Sequence, residues 1–425
     1  MRLNLSKTLQ IIGKIIYINI IIVAIAVCFL LIGCLFPQEL IDKNIQESIS
    51  VFEDEGQYPR IGDKEDSSML DNFTDCLILM ESSTMRIAEL QSIFSNPLYF
   101  DVNPVAEFSN FIEKRDKTNP TGYYVRYWMG FRTLVRSMLV FMNYSQIRRF
   151  LSWVIFVLFI ITSFFISSYI DIRTGVLFAI SIIFVKPQVL CNSLQYSCCF
   201  ILALLALFFI PIVIQKGKEI PFFLLLGMLT MYFDFYTSPL VVLGYPLIFM
   251  ILLKTNEKPN VKLSLLSIVG WGIGYGTMWI MKLLCATLFT SVNGFSNGFH
   301  SFAARVGITK RSDLIEYYDI GKAFRALIRV ALPDTLSRII ACITILCMII
   351  VLIFCIIYNK LKHDQCVNYI TLLFPIICTA LWYMIAAQPT AIHAYFQYRN
   401  LSIVVFSGMM FYSLLVYPIK NKSKI

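Results

Sequence analysis

The sequence contains little charge and almost no histidine. Of its 425 residues, 15% are Asp, Glu, Lys or Arg and only three are His, whereas 58% are hydrophobic and the mean hydropathy is +0.71. A soluble globular domain carries about 25% charged residues. The shortage of charge therefore excludes an ordinary soluble domain and predicts an all-α polytopic membrane protein.

Motifs for nucleotide chemistry are absent as well. The chain has no GxGxxG, no Walker A motif and no HExxH, so dinucleotide chemistry, nucleotide-driven transport and zincin chemistry lack support. Its 12 cysteines lie almost all in or beside apolar segments and predict small buried hydrophobes instead of a disulfide framework. The net charge of +10 does not indicate nucleic-acid binding, because no basic module stands apart from the apolar segments.

Ten apolar segments are candidate transmembrane helices, each of which needs about 20 apolar residues to cross a bilayer. The third, fifth and sixth are short, which is typical of re-entrant or broken helices, so the total can change by two. The ten segments cover 15–36, 150–169, 174–187, 190–214, 220–235, 238–253, 263–290, 338–358, 367–388 and 401–418.

The distribution of Lys and Arg predicts that both termini lie inside. With that orientation, the short inside connections carry many more basic residues than the short outside connections, as the positive-inside rule requires. The basic connection at about 291–337 is an exception, because it falls outside; either its basic residues are functional, or this stretch contains a further membrane hairpin. The chain then divides into a signal-anchor span (1–36), an extracytoplasmic loop with amphipathic helices (37–149) and a polytopic domain (150–425).

The 37–149 loop holds 17 of the 26 acidic residues. Asp71 and Asp75 are four residues apart, so a helix places both on one face, where they suit a general base or a divalent-cation site. The alternative is that Asp71 caps the helix, since acidic residues are favoured in the first turn. We expect the stretch 41–68 and the downstream Glu81 to be solvated.

Two amphipathic helices are predicted in the same loop. An apolar stripe at helical spacing runs from Phe73 through Ile87 to Phe94, and a second helix is predicted over 123–144. The second places Trp128 on one face and Arg132 and Arg136 on another, a pattern typical of a helix in the lipid headgroup layer.

Asp234 is the sharpest signal in the membrane domain. It lies between two apolar segments, and an ionisable residue at membrane depth is a functional candidate by default. The alternative is a carboxylate hydrated at the outer surface. Lys282, in the seventh segment, is a possible partner of Asp234, although a Lys there can also snorkel to the membrane surface.

Several basic residues are predicted on the outer face together with the acids. Arginine binds phosphate through its bidentate fork, so these arginines suit a phosphate or pyrophosphate, with lipid headgroups as the alternative. The histidines match no metal motif; they and Trp128 are candidates for substrate contact, with an ordinary polar surface position as the alternative for the histidines. The set comprises Arg126, Arg132, Arg136, His300, Arg305, His393 and Arg399.

Four glycines alternate along the seventh segment. Gly270 and Gly274 form one small-xxx-small pair, and Gly272 and Gly276 form another. Such pairs favour close packing of membrane helices.

The layout of one span, a long acidic external loop and many further spans resembles the GT-C superfamily of integral-membrane glycosyltransferases. The resemblance implies transfer of a sugar from a polyprenyl-phosphate carrier at the outer face of the bacterial cytoplasmic membrane, with the bilayer and a lipid-linked sugar as partners. Asp71 or Asp75 would be the base or the ligand of Mg or Mn, and the outer arginines would hold the lipid phosphate. In the family the acid commonly follows the first span closely, whereas about 35 residues intervene here.

The run Tyr124-Val-Arg-Tyr-Trp-Met-Gly130 also resembles a segment of multi-spanning bacterial proteins of unassigned activity, which carry a His where Met129 stands. Two alternatives to a glycosyltransferase stay open. One is a polysaccharide polymerase, which would use the same arginines without an acidic pair. The other is a transporter or flippase, which should show inverted repeats and ionisable groups near the bilayer midplane. The ionisable residues here concentrate at one surface, which favours surface chemistry.

Overall fold

The structure is a computed structural model that describes residues 5–86, 90–114, 119–255, 261–306, 319–357 and 369–419. It is 78% helical. The sheet in the described residues consists of the antiparallel strands β1 (Pro97–Leu98) and β2 (Gly122–Tyr123). The all-α prediction is confirmed.

The helices are numbered here in chain order. They are α1 (Leu5–Gly33), α2 (Gln38–Gln46), α3 (Ile49–Glu55), α4 (Asn72–Thr84), α5 (Leu90–Ser95), α6 (Pro104–Lys114), α7 (Phe131–Leu139), α8 (Tyr144–Tyr169), α9 (Ile172–Ile183), α10 (Pro187–Leu190), α11 (Leu194–Gln215), α12 (Glu219–Phe233), α13 (Leu240–Leu253), α14 (Val261–Phe289), α15 (Gly294–Arg305), α16 (Ile320–Ala331), α17 (Thr335–Ile357), α18 (Leu373–Ile385), α19 (Ala387–Ile392), α20 (Ala394–Gln397) and α21 (Leu401–Val416).

Five helices of the described chain are long and apolar enough to cross a membrane, and a bent pair, 17–33 with 38–55, adds a sixth if it counts as one span. Every one of the ten predicted segments falls on a helix. However, α9, α12, α13 and α18 are only 12 to 15 residues long, so the count of ten spans stays a prediction.

Helices α12 and α14 pack backbone to backbone through glycine. A Cβ added at Gly274 would lie 2.0 Å from the Leu224 carbonyl oxygen, and one at Gly227 would lie 2.0 Å from that of Trp271. Gly272, two residues before Gly274, has nothing within 4 Å of such a Cβ. Of the two glycine pairs in α14, the one at Gly270 and Gly274 therefore makes the predicted close contact.

We expect Gly274→Ala to destabilise the protein by about 1–3 kcal/mol, because the new methyl group forces two backbones apart. Gly272→Ala is the matched control: the same helix gains a methyl group in open space, and removal of a helical glycine by itself stabilises by roughly 0.5–1 kcal/mol. Thermal unfolding of the detergent-solubilised chain measures both. Equal midpoints for the two variants would contradict the glycine contact.

The acidic loop is a packed layer of short helices. Helices α2 and α3 bury Ile41, Ile45 and Phe52, and the layer shares an apolar cluster with α8 that includes Tyr144. The expectation that 41–68 is solvated is therefore wrong for its helical part, because alternate turns of these short helices carry apolar residues into the cluster.

Both predicted amphipathic helices are shorter than expected. Helix α4 ends at Thr84, α5 resumes at Leu90, and Ile87 lies outside the described residues. In place of a helix over 123–144, strand β2 and a turn precede α7, which begins at Phe131. Trp128 lies before this helix.

The arginines of α7 are buried, contrary to the prediction of a helix in the headgroup layer. Arg132 is 1% exposed and donates to Glu81 Oε2 at 2.8 Å. Arg136 donates to the carbonyls of Gly33 and Ser82, at the last turns of α1 and α4. Basic groups at these positions donate hydrogen bonds to carbonyls at helix C-termini, which lack partners within the helix. Glu81 is correspondingly buried, and our expectation of a solvated carboxylate is wrong.

Candidate functional site

A cleft of about 850 Å³ lies between the loop layer and the membrane helices. Its walls come from the start of α4, the turn before α7, the break between α12 and α13, helix α15, and the segment 388–396. Eight of its 24 lining residues are Tyr or Phe, and Asp71 is the one carboxylate among them. Concave, aromatic-rich pockets with a few convergent polar groups are the usual form of small-molecule sites.

Asp71 is the N-cap residue of α4. It is 3% exposed, and it caps the helix by accepting hydrogen bonds from the Thr74 amide at 3.0 Å and the Thr74 hydroxyl at 2.8 Å. Burial raises the pKa of Asp71 to about 7, against the hydrogen bonds from Thr74, and the nearby Asp75 carboxylate raises it further. A carboxylate with a pKa near 7 suits proton transfer at neutral pH.

Asp75 caps a second helix instead of facing the cleft. Its oxygens accept hydrogen bonds from the Ser193 hydroxyl and from the amides of Leu194 and Gln195, at 2.9 to 3.2 Å. The Tyr144 hydroxyl donates to it at 2.7 Å. Asp75 thus satisfies the unpaired N–H groups at the start of α11, which fits a carboxylate at a helix N-terminus. The two predicted acids therefore have different positions.

Two predicted arginines meet around a tyrosine on the cleft wall. Arg126 lies over the Tyr124 ring at 4.3 Å, and Arg305 lies over the Tyr236 ring at 4.5 Å. Arg305 donates a hydrogen bond to the Tyr127 hydroxyl. Burial acts to raise the pKa of Tyr127, but Arg305 and Arg126 outweigh it and lower the pKa. Neither arginine has a carboxylate partner in the described parts of the chain, which leaves both cations available to an anionic ligand.

The backbone beside this cluster is unusual. Tyr236 lines the cleft with a φ of +66°, and Met129 has a φ of +54°. Left-handed conformations of bulky residues are uncommon and concentrate at ligand sites. The Gln397 side chain donates to the Tyr236 carbonyl at 2.7 Å and stabilises this conformation.

Helix α15 presents two different faces. Asn293, Asn297 and His300 line the cleft at helical spacing, whereas Phe299 and Phe302 are 52% and 47% exposed. Ser296 also lines the cleft, within the sequence Gly294-Phe-Ser-Asn-Gly298. This run matches GxSxG, but it forms the start of α15, which follows a loop and has Asn293 as its N-cap. The strand that a nucleophile elbow requires before its serine is not there.

The remaining site predictions fall in three places. His393 lines the cleft with its ring stacked on Phe396 at 5.0 Å. Arg399 is buried behind the cleft over the Tyr196 ring at 4.1 Å. Trp128 donates from its indole to the Met278 carbonyl at 2.8 Å, inside a helix interface. Neither Arg399 nor Trp128 lines the cleft, and the same holds for Arg132 and Arg136.

Asp234 lies at the break between α12 and α13, next to the cleft but not on its wall. Its Oδ1 accepts from the Cys199 thiol at 3.2 Å and from the Thr237 amide at 2.9 Å, while Oδ2 has no hydrogen-bond partner in the described chain. Lys282, the possible partner, does not pair with Asp234 and does not snorkel to the surface either, because its ammonium is buried and donates to the Phe94 carbonyl at 2.7 Å.

Sequence reasoning missed Gln195, Asn297 and the tyrosines of the wall. Gln195 is the second residue of α11 and lines the cleft although it is 4% exposed. The available signal was a polar residue near the end of an apolar segment, which long-range folding turns toward the cleft.

The described residues contain no group of three or more His, Cys, Asp or Glu side chains placed to hold a metal ion. With the oxygens of Asp75 engaged by protein donors, Asp71 is the carboxylate that could face a cation in the cleft. No protein-family model matches the sequence, and comparison with curated proteins and with solved structures finds no match.

Proposed function

We propose that the chain is a membrane glycosyltransferase that moves a sugar from a polyprenyl-phosphate-type lipid to a hydroxyl acceptor. One observation carries the proposal: a single cleft combines a carboxylate with a pKa near 7, two arginines without carboxylate partners in the described chain, and eight aromatic rings. Sugar rings pack their C–H faces on aromatic side chains and present hydroxyl groups at their edges.

Each of the polar cleft residues has a separate role in the proposed reaction. Asp71 removes the proton of the acceptor hydroxyl, whose oxygen attacks the anomeric carbon of the donor sugar. The bond between that carbon and the phosphate oxygen breaks, and the lipid phosphate leaves with the bonding pair. Arg126 and Arg305 stabilise its negative charge. Asp71 is the cleft carboxylate that would hold a divalent cation, Mg or Mn, and such a cation would supply further positive charge for the leaving phosphate.

The apolar face of α15 supports a lipid-linked donor. The rings of Phe299 and Phe302 lie 5.6 and 6.2 Å from the Trp279 ring and are exposed, on the same helix whose other face lines the cleft. The apolar chain of an amphiphile could lie against the exposed phenylalanines of α15 while its charged head occupies the cleft on the other face of the helix. The proposal places this helix and the 37–149 layer at the outer face of a bacterial cytoplasmic membrane, with ten spans and both termini inside.

The test is a strain that lacks the protein, complemented by wild type or by Asp54→Asn, which removes an exposed carboxylate of the same layer. We expect the deletion to remove one sugar from the surface glycan or glycolipid and to accumulate its lipid-linked donor, and both complemented strains to restore the profile. An unchanged profile of lipid-linked sugars and surface glycans in the deletion would contradict the proposal.

A transporter is the second candidate, and one observation favours it. Asp234 lies buried in the non-helical break between two short apolar helices, with one oxygen unpartnered in the described chain. Broken membrane helices with a buried ionisable group are typical of transporter substrate and ion sites. In the same deletion strain, a transporter predicts that the complete lipid-linked product accumulates on the inner leaflet, whereas a glycosyltransferase predicts an unmodified acceptor.

A further inference from the structure

Three polar atoms on the cleft wall lack a hydrogen-bond partner. They are Gln195 Oε1, Asn297 Oδ1 and Arg126 Nε, each of them buried and without a partner in the part of the chain that the structure describes. All three residues line the cleft. Buried side-chain polar atoms in folded proteins are nearly always paired, so each exception calls for an explanation. A ligand that fills the cleft would supply the missing partners of all three at once.

The chemistry of these atoms restricts the ligand. Amide oxygens accept hydrogen bonds and cannot donate them, so Gln195 and Asn297 require a ligand that carries O–H or N–H groups. An ionised phosphate carries acceptor oxygens alone and meets the requirement of the Arg126 N–H but not that of the amide oxygens. A neutral sugar, whose hydroxyl groups both donate and accept, satisfies the two amide oxygens.

A backbone hydrogen bond to Asp75 holds Gln195 in position. Its backbone N–H donates to Asp75 Oδ1 at 3.2 Å, which holds the first turn of α11 against α4. Asp71, the residue just before α4 and four residues before Asp75, lines the same cleft. Asp75 is therefore a positioning residue: it places the Gln195 carboxamide on the wall that carries the proposed base.

We infer that Gln195 and Asn297 form a hydroxyl-binding subsite for a neutral sugar in the cleft. The inference rests on the proposed glycosyltransferase function and adds to it the class of ligand and the two residues that select it. Asn297, on α15, and Gln195, on α11, belong to separate elements, so a sugar that bridges them is recognised by the spacing of its hydroxyl groups.

The experiment uses the full chain in detergent and a panel of methyl glycosides, with affinity measured by saturation-transfer NMR. The variants are Gln195→Met and Asn297→Leu, which keep the side-chain size and remove the amide. Gln188→Met, at an exposed position just before α11, is the matched control. We expect at least one glycoside to bind wild type and the control equally, and each cleft variant to bind it about three- to tenfold more weakly, as expected for one neutral hydrogen bond.

Thermal unfolding establishes that each variant is folded, and membrane transferase activity is recorded in parallel. Unchanged glycoside affinity in both folded cleft variants overturns the subsite and leaves the proposed function standing. The subsite is also overturned if no glycoside binds a wild-type protein that still transfers sugar. Absence of both binding and transfer overturns the subsite together with the proposed function.

Discussion

Asp71→Asn is expected to lower the rate of sugar transfer by about 10²–10⁴-fold, the usual contribution of a general base. Asparagine retains the capping oxygen that holds the start of α4, so the variant keeps its fold while losing the proton acceptor. The wild-type rate should rise as pH increases through about 7, since burial raises the pKa of Asp71 to that value and the base must be ionised. The residual activity of Asp71→Asn should lack this inflection.

The free energy of unfolding should fall as pH rises, whereas the transfer rate should increase. Because the pKa of Asp71 is higher in the folded chain than the ordinary value of 3.8, the fold favours the protonated carboxyl. Its contribution is fully present below about pH 4 and is lost as pH rises through about 7. Asp54→Asn is the control for both profiles. A wild-type rate without an inflection near 7, or Asp71→Asn with full activity, would remove Asp71 from the reaction.

Glu81→Ala is expected to destabilise the protein by about 3–5 kcal/mol, because it leaves the buried Arg132 guanidinium without its carboxylate. The two groups lie 2.8 Å apart and are about 1% and 0% exposed. Burial raises the pKa of Glu81 to about 7, although Arg132 acts to lower it. Thermal or denaturant unfolding in detergent measures the loss.

The surface pair of Asp42 with Arg86, at 3.9 Å and with both side chains about 40% exposed, is the control for Glu81. Exposed pairs contribute roughly 0–1 kcal/mol, so Asp42→Ala should change stability little. The double variant Glu81→Leu with Arg132→Met should recover part of the loss, since no charge is then buried. A small effect of Glu81→Ala, equal to that of Asp42→Ala, would contradict the buried pair.

Composition and apolar periodicity were enough to predict the helical class, and the ten apolar segments were placed correctly as helices. The spacing of small residues predicted close helix packing through α14, although it did not separate the pair in contact, Gly270 and Gly274, from Gly272 and Gly276. Asp71 was singled out as a base or a helix cap, and the structure has it at the helix N-terminus and on the cleft wall at once. These signals are local, since each depends on residues within one or two helical turns.

The errors about individual side chains mostly concern partners distant in the sequence. An amphipathic pattern looks the same whether its polar face meets lipid headgroups or a buried carboxylate, and the partner of Arg132 is 51 residues away. Asp75 could not be separated from Asp71 by spacing, because its donors begin 69 residues later at Tyr144 and continue at Ser193, 118 residues away. Gln195 and Asn297 carried no motif, since an amide that binds hydroxyl groups needs no particular neighbour in sequence.

The bonds that Asp75 makes to the start of α11 also set an order of events during synthesis. Chains emerge and fold from the N-terminus, yet the carboxylate of the loop layer cannot acquire these donors until residues 193–195 have been made and inserted. The cleft is completed later still, because the Tyr236 carbonyl is held by Gln397. A nascent chain must therefore carry a loop layer in which Asp75 lacks these donors until residues 193–195 arrive, and an unfinished cleft until Gln397 arrives.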